Sequence, residues 1–395
     1  MSHTDLTVYG APWCGDCKRA KKFLGEQRVH YNWVDIEQNP AGEAFVIQVN
    51  QGKRIIPTIV FDDQSFLIEP SNAELAAKLG LQTRARLNYY DVICIGGGPC
   101  GLTTALYAAR EGLEVLVIEK SGLGGQAGVT ERLDNFPGFP EGIGGGDFAD
   151  RLTAQARRFG VELLQAQEVT TIRREEESIY VSTADGAEYG TKTVLVATGS
   201  TYRRLGIPGE DELIGAGVHF CATCDGPFYK GKHVAVIGGG NSAGEESLFL
   251  ARFVDKVTIL VRSAEMTASK IVIDKVNENP KIELRYHTET LELHGSEAGK
   301  LSGISIRDSQ TGATEKITPA GVFVFIGLQP NTQWLPPEIN RDKYGFVTTN
   351  LMLATNVPGV FAAGDVRLGS TKQAASAVGE GATAALMIRE YLKGV

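Results

Sequence analysis

Two stretches of this chain repeat one construction, and that repeat constrains the fold more than any other feature of the sequence. "YDVICIGGGPCGLTTALYAAREGLEVLVIEK" (90–120) reads as strand, glycine turn, helix, strand. "KHVAVIGGGNSAGEESLFLARFVDKVTILVR" (232–262) reads the same way, with Gly238 standing 142 positions after Gly96. A unit of this kind needs a parallel sheet covered by helices. Around the repeats lie β-rich runs, "ESIYVSTADGAEYGTKTVLVATGS" and "KLSGISIRDSQTGATEKITPAGVFVFIG", and a helical tail, "TKQAASAVGEGATAALMIREYL". The 395 residues exceed one ordinary domain,.

The first turn carries G-x-G-x-x-G at Gly96, Gly98 and Gly101, directly after an apolar strand and opening a helix. The first glycine permits the tight turn, the second lets a pyrophosphate approach the backbone, and the third lets helix and strand pack closely. The pyrophosphate then meets the positive helix N-terminus. Glu119 ends the second strand, where its carboxylate can accept from ribose hydroxyls,. The second turn reads Gly238, Gly240, Ala243. At the position matching Glu119 stands Val261, followed by Arg262. Without a carboxylate, and with an arginine beside it, this turn favours a 2′-phosphate, hence NADPH over NADH, with NADH still possible. Two nucleotide folds in one chain commonly hold a flavin and a nicotinamide.

The chain has six cysteines, four of them in Cys-x-x-Cys pairs: Cys14 with Cys17, and Cys221 with Cys224. Six are too few for a disulfide scaffold, so redox or metal chemistry is indicated. Zinc ribbons separate two such pairs by about 15–20 residues, whereas Cys14 and Cys221 are 207 apart, so no metal site is expected. A thiolate must attack a disulfide with its partner close enough to re-close the bridge. Asp225 follows Cys224 and is placed to handle the proton, or else to cap a turn,. His219, two positions before Cys221, receives no role.

Residues 89 to 395 resemble a low-molecular-weight thioredoxin reductase of the flavoprotein disulfide reductase class. The motifs are "GGGPCG", "GGQ", "NFPG", "ATGS", "CATCDG", "GGGNSAGEE" and "FAAGDV", in family order. The resemblance implies an FAD-binding domain in two parts, 89–204 and 329–395, and an NADPH-binding domain with the redox centre at 205–328. It implies that Cys224 faces the flavin, Cys221 attacks the outgoing disulfide and Asp225 is the acid/base. Gly98, Glu119, Gln126, Asn135, Asp365 and Gln373 would touch FAD, while Gly238, Gly240, Asn241, Ser242 and Arg262 would hold the nicotinamide cofactor. A homodimer with a large domain rotation is implied as well. The chain departs from the family pattern in keeping one arginine where "HRR" is usual, in Cys100 for alanine, and in Lys372 before Gln373 where arginine is common.

Residues 1–82 form a separate unit, joined by a connector at 83–88. Cys14 precedes a helix beginning near Gly15, whose N–H groups and dipole stabilise a thiolate,. Cys14 is therefore the nucleophile and Cys17 the resolving thiol, with Lys18 and Arg19 adding positive charge. Trp13 is either a docking surface or partly buried. "WCGDC", "VDIEQNP", "VNQGKRIIPTIVF" and "PSNAEL" make this unit similar to glutaredoxins, and more narrowly to mycoredoxin-like ones. In such units a proline at the position of Pro57 is cis and faces the cysteines.

The expected architecture is α/β, a thioredoxin-like (glutaredoxin) domain followed by two Rossmann-like domains. The expected activity is an NADPH- and FAD-dependent disulfide reductase of thioredoxin reductase type. It would pass electrons through Cys221 and Cys224 to Cys14 and Cys17, and on to a disulfide protein or a low-molecular-weight thiol disulfide. The alternatives are an alkyl hydroperoxide reductase-type flavoprotein feeding a peroxiredoxin, a thiol oxidase, and a redox-sensing or iron–sulfur binding module. A net charge of −8 argues against nucleic acid and anionic membrane,. "MSHTDLTVYG" lacks a signal-peptide pattern and no apolar run spans a bilayer, so a cytoplasmic protein is expected,.

Overall fold

The structure is a computed structural model and describes residues 6–394 apart from 131, 134 and 297, with the side chains of 223 and 224 also outside the description. The first eighty residues build β1 (Leu6–Gly10), α1 (Gly15–Glu26), β2 (Tyr31–Asp35), α2 (Pro40–Val49), β3 (Thr58–Val60), β4 (Phe66–Ile68) and α3 (Asn72–Lys78). Local chemistry sets the helix starts. Asn39 Oδ1 accepts the Gly42 N–H at 2.9 Å, with Pro40 in the first turn, and Ser71 and Glu74 cap α3 reciprocally,. The strands order as β2-β1-β3-β4, with β1 and β2 parallel and the remaining pairs antiparallel. On α1 the apolar positions Ala20, Phe23 and Leu24 face Leu6, Val8, Ile59 and Leu75, so this unit has its own core,.

The first glycine turn lies between β5 (Tyr89–Ile95) and α4 (Pro99–Arg110), followed by β6 (Val115–Ile118), α5 (Gly125–Val129) and α6 (Gly145–Arg158). Then come β7 (Glu162–Leu164), β8 (Val169–Glu175), β9 (Ser178–Thr183) and β10 (Glu188–Val196). Their order is β7-β6-β5-β10-β9-β8, with Val360–Ala362 added parallel to the end of β10. β5 and β6 are buried nearly throughout, as parallel strands covered on both faces must be,. The closing helix Ala374–Lys393 lies against α4, where Thr104 Oγ1 donates to the Gly381 carbonyl at 2.9 Å.

The chain divides into two compact units. The first gathers residues up to 130, 144–199 and 330 onward, so the N-terminal sheet and the first nucleotide fold belong together. Their seam is at the C-terminal end of α1. Arg28 pairs with Asp150 at 2.7 Å and donates to the Gly146 carbonyl at 3.0 Å, and Gln165 Nε2 donates to Gln27 Oε1 at 3.2 Å. A Cβ on Gly122 would lie 1.8 Å from the Glu26 carbonyl oxygen, so only glycine permits this approach. The connector is bound as well. The buried Glu162 carboxylate accepts from the Arg86 N–H at 2.7 Å and the Tyr90 hydroxyl at 2.6 Å.

The second unit comprises the described residues of 131–143 and 200–329. Its parallel sheet runs Val218–His219, Gly321–Val324, His233–Ile237, Lys256–Leu260, Ile282–Arg285. The second glycine turn joins His233–Ile237 to the helix Asn241–Leu250. A three-stranded antiparallel sheet, Thr288–Gly295, Leu301–Asp308 and Thr314–Ile317, completes it.

Candidate functional site

The two glycine turns share one local geometry. Gly96 has φ +109° and its added Cβ would meet the Ala197 carbonyl oxygen at 2.3 Å; Gly238 has φ +147° and would meet that of Phe325 at 2.3 Å. Gly98 and Gly240 are the N-caps of their helices, and neither helix start has a side-chain cap. A Cβ on Gly98 would touch nothing within 4 Å. Open space beside unpartnered helix N–H groups is what a pyrophosphate requires. The first turn therefore fits a dinucleotide, and so does the second, where a Cβ on Gly240 would make only an ordinary contact with Thr267 Oγ1 at 3.9 Å.

The turns differ at one side chain. A Cβ on Gly97 would meet Glu119 Cβ at 3.0 Å, and one on Gly239 would meet Val261 Cγ1 at 3.0 Å, so Glu119 and Val261 occupy equivalent places. Glu119 is 9% exposed and accepts the N–H groups of Gly97 and Ser121, each at 2.7 Å, one on each carboxylate oxygen. One lone pair per oxygen remains for a ribose. Burial pushes the Glu119 carboxyl up from its ordinary value, while the Gly97 and Ser121 bonds pull it down. Val261 is buried, and Arg262 is exposed beside it.

Other predicted residues assemble unevenly around the first turn. The pairing of Val360–Ala362 with β10 brings the Gly364–Val366 turn, and Asp365 on it, beside α4: a Cβ on Gly364 would lie 3.1 Å from Cys100 Cβ. Burial raises the Asp365 carboxyl, opposed chiefly by Lys372. Lys372 Nζ donates to the Asp365 and Arg367 carbonyls at 2.7 and 3.1 Å, so this lysine braces the turn. Gln373 is the N-cap of the closing helix. Gln126 is exposed on α5, and Asn135 is exposed and belongs to the second unit. Asn241 Oδ1 takes the Ser269 N–H at 2.6 Å, and Ser242 is exposed one position on. Burial pushes the thiols of Cys94 and Cys100 up, which keeps them protonated and inert,.

Cys221 is disulfide-bonded and immediately precedes the short helix Ala222–Asp225. The Cys224 side chain lies outside the described residues. Asp225 donates its N–H to the Cys221 carbonyl at 3.1 Å, and its carboxylate faces the His219 ring, Nδ1 to Oδ2 3.3 Å. His219 is the residue that sequence reasoning passed over. Its partners are six and ten positions away, and ring orientation has no periodic signature in sequence.

In the N-terminal unit Cys14 is the N-cap of α1 and is bridged to Cys17. Cys14 is 6% exposed and Cys17 fully buried, so Cys14 is the sulfur an attacker meets. The Ile56–Pro57 bond is cis, and the Ile56 carbonyl oxygen lies 3.7 Å from Cys14 Sγ, placing Pro57 against the pair. Trp13 is 63% exposed and donates to Glu37 at 3.0 Å. Arg19 is not free beside the cysteines: its guanidinium binds Asp16 at 3.0 Å, Asn72 at 3.0 Å and the Pro70 carbonyl at 2.9 Å.

The family described as pyridine nucleotide-disulphide oxidoreductase matches residues 90–381. The chain belongs to it. The glutaredoxin family matches residues 6–66, so a glutaredoxin domain precedes the oxidoreductase. Among curated relatives, the thioredoxin reductase of Treponema pallidum is 42% identical over 303 residues, 77% of this chain and 97% of that one. That of Bacillus subtilis is 38% identical over 304 residues, with 77% and 95% covered. The crystal structure of thioredoxin reductase from Streptococcus pyogenes covers 78% of this chain and 99% of its own, with 37% identity and a TM-score of 0.73. The α/β architecture and the thioredoxin reductase resemblance are thereby shown, and the oxidoreductase part is a thioredoxin reductase-like flavoprotein disulfide reductase. Among the described residues no helix is long and apolar enough to cross a membrane.

Proposed function

We propose that this family member is an NADPH-dependent, FAD-containing disulfide reductase that hands its electrons to its own glutaredoxin domain and then to an external disulfide, working as a homodimer. One observation supports this above others. A single chain carries two dinucleotide turns, a disulfide-bonded Cys221 on the segment leading into the second nucleotide fold, and a second Cys-x-x-Cys disulfide at a helix start. Gly96, Gly98, Gly101, Glu119, Asp365 and Gln373 would hold FAD, and Gly238, Gly240, Asn241 and Arg262 the nicotinamide cofactor. A bound flavin supplies the switch between hydride transfer and thiol–disulfide exchange.

The cysteines do the rest. The Cys221 thiolate attacks Cys14 Sγ, forming a Cys221–Cys14 bond while Cys17 leaves with the electron pair and takes a proton. The Cys224 thiolate then attacks Cys221, re-forming the internal disulfide and releasing Cys14 as the nucleophile for an external disulfide. Asp225 accepts and returns the proton as the internal pair opens and closes.

Anaerobic titration tests the cofactor assignment. NADPH is expected to bleach the flavin absorbance at a lower concentration than NADH, followed by oxidation with a panel of disulfides. Arg262→Ala removes a charge-assisted contact to a 2′-phosphate and should cut the NADPH preference roughly tenfold. A flavin bleached by neither nucleotide contradicts the proposal.

A further inference from the structure

His219 is held on every side. It ends the strand Val218–His219, which runs parallel to Gly321–Val324 with His219 opposite Phe323. Its ring lies against Phe323 with centroids 5.3 Å apart and takes the edge of Tyr229 at 5.3 Å. Nε2 is 2.6 Å from the Tyr229 hydroxyl, and Nδ1 is 3.3 Å from Asp225 Oδ2. The His219 side chain is only 10% exposed. Room for the tyrosine is built in, since a Cβ on Gly321 would lie 2.4 Å from the Tyr229 ring. Among the described residues, the charged and titratable groups facing this array are Asp225, Tyr229 and Lys232, whose ammonium sits 5.8 Å from the Tyr229 ring centre.

The hydrogen-bond directions follow from what each group can do. An ionised Asp225 can only accept, so a neutral His219 must carry its proton on Nδ1. Nε2 then has only a lone pair to offer, and the Tyr229 hydroxyl must donate to it. Burial, with the nearby Asp225 carboxylate, pushes the Tyr229 hydroxyl up to about 12, so it keeps that proton across the physiological range. One tautomer satisfies all three residues.

We propose that His219 is the positioning residue for Asp225. Tyr229 fixes the imidazole, and the imidazole Nδ1–H fixes the carboxylate beside the internal cysteine pair. The proposal rests on the acid/base role assigned to Asp225 above.

The test uses the full-length, flavin-loaded chain with saturating NADPH and an aromatic disulfide that releases a coloured thiol, with kcat and KM measured for each variant. His219→Asn puts an amide nitrogen where Nδ1 was and keeps the bond to Asp225. His219→Gln places its amide nearer the Nε2 position, toward Tyr229. His219→Ala removes both bonds. The expected result is kcat down by about tenfold in the Ala and Gln variants, with KM unchanged. The Asn variant should recover most of the rate.

Adding His219→Ala to Asp225→Asn should cost nothing further. Equal loss in the Asn and Gln variants, or full loss on top of Asp225→Asn, overturns the positioning role while leaving Asp225 intact. If Asp225→Asn itself turns over at the parental rate, the acid/base assignment beneath it falls instead.

Discussion

Cys14→Ser is expected to lower turnover of the external disulfide by at least ~100-fold, while the reduced nicotinamide still delivers electrons to Cys221 and Cys224. Serine at the α1 N-cap preserves the cap bond to the residue-17 N–H, now 3.0 Å from Cys14 Sγ, so the helix stays formed,. What disappears is the only accessible sulfur of the pair, because Cys17 is fully buried. A hydroxyl neither attacks a disulfide nor leaves as its thiolate. Cys17→Ser behaves differently: Cys14 still attacks but nothing resolves the product, so a mixed disulfide accumulates. Intact mass after one turnover reads that species directly. Parental turnover by a Cys14→Ser, Cys17→Ser double variant would show that electrons leave from Cys221 without using the glutaredoxin domain.

The second large effect is at Gly101. An alanine there places Cβ 1.9 Å from the Gly96 carbonyl oxygen, a backbone atom of the turn itself, so α4 must lift off β5. Overpacking of this sort costs about 1–3 kcal/mol, and the pyrophosphate cradle opens with it. Gly101→Ala should purify with little flavin and with a lower Tm. Gly98→Ala provides the contrast. Its backbone has φ −77° and its Cβ would meet nothing, so the apo fold should melt with the parent. The methyl nevertheless occupies the space a pyrophosphate needs, and flavin should be lost by dialysis far sooner. Parental flavin retention by Gly98→Ala would place the dinucleotide elsewhere.

Much of the fold was legible because its signals are local. Glycine turns and their flanking apolar strands each act within a few residues. The same holds for Cys14, whose place at a helix start follows from its neighbours. Trp13 could not be decided, since its exposure depends on what the rest of the sheet leaves uncovered. Nor could Arg19 be placed, because Asn72 and Pro70 claim its guanidinium from more than fifty positions away. The connector at 83–88 carries no sign in sequence of what holds it, yet the buried carboxylate of Glu162 binds it from beyond β6. The seam at Arg28 is the extreme case: its partner Asp150 is 122 positions on and neither residue belongs to a motif.

Helix α1 has two ends with different duties. Its first residue follows Cys14, and its last, Glu26, abuts Gly122. Twelve residues of helix span about 18 Å,. The glutaredoxin domain is thus mounted by its heel, with the reactive sulfur held a full helix length from the mounting face. For anyone building chimeras, the carrier is not an interchangeable cassette. A substitute must offer the same low-relief heel to Gly122 and an arginine aimed at Asp150, or it will hang from the chain instead of standing on it.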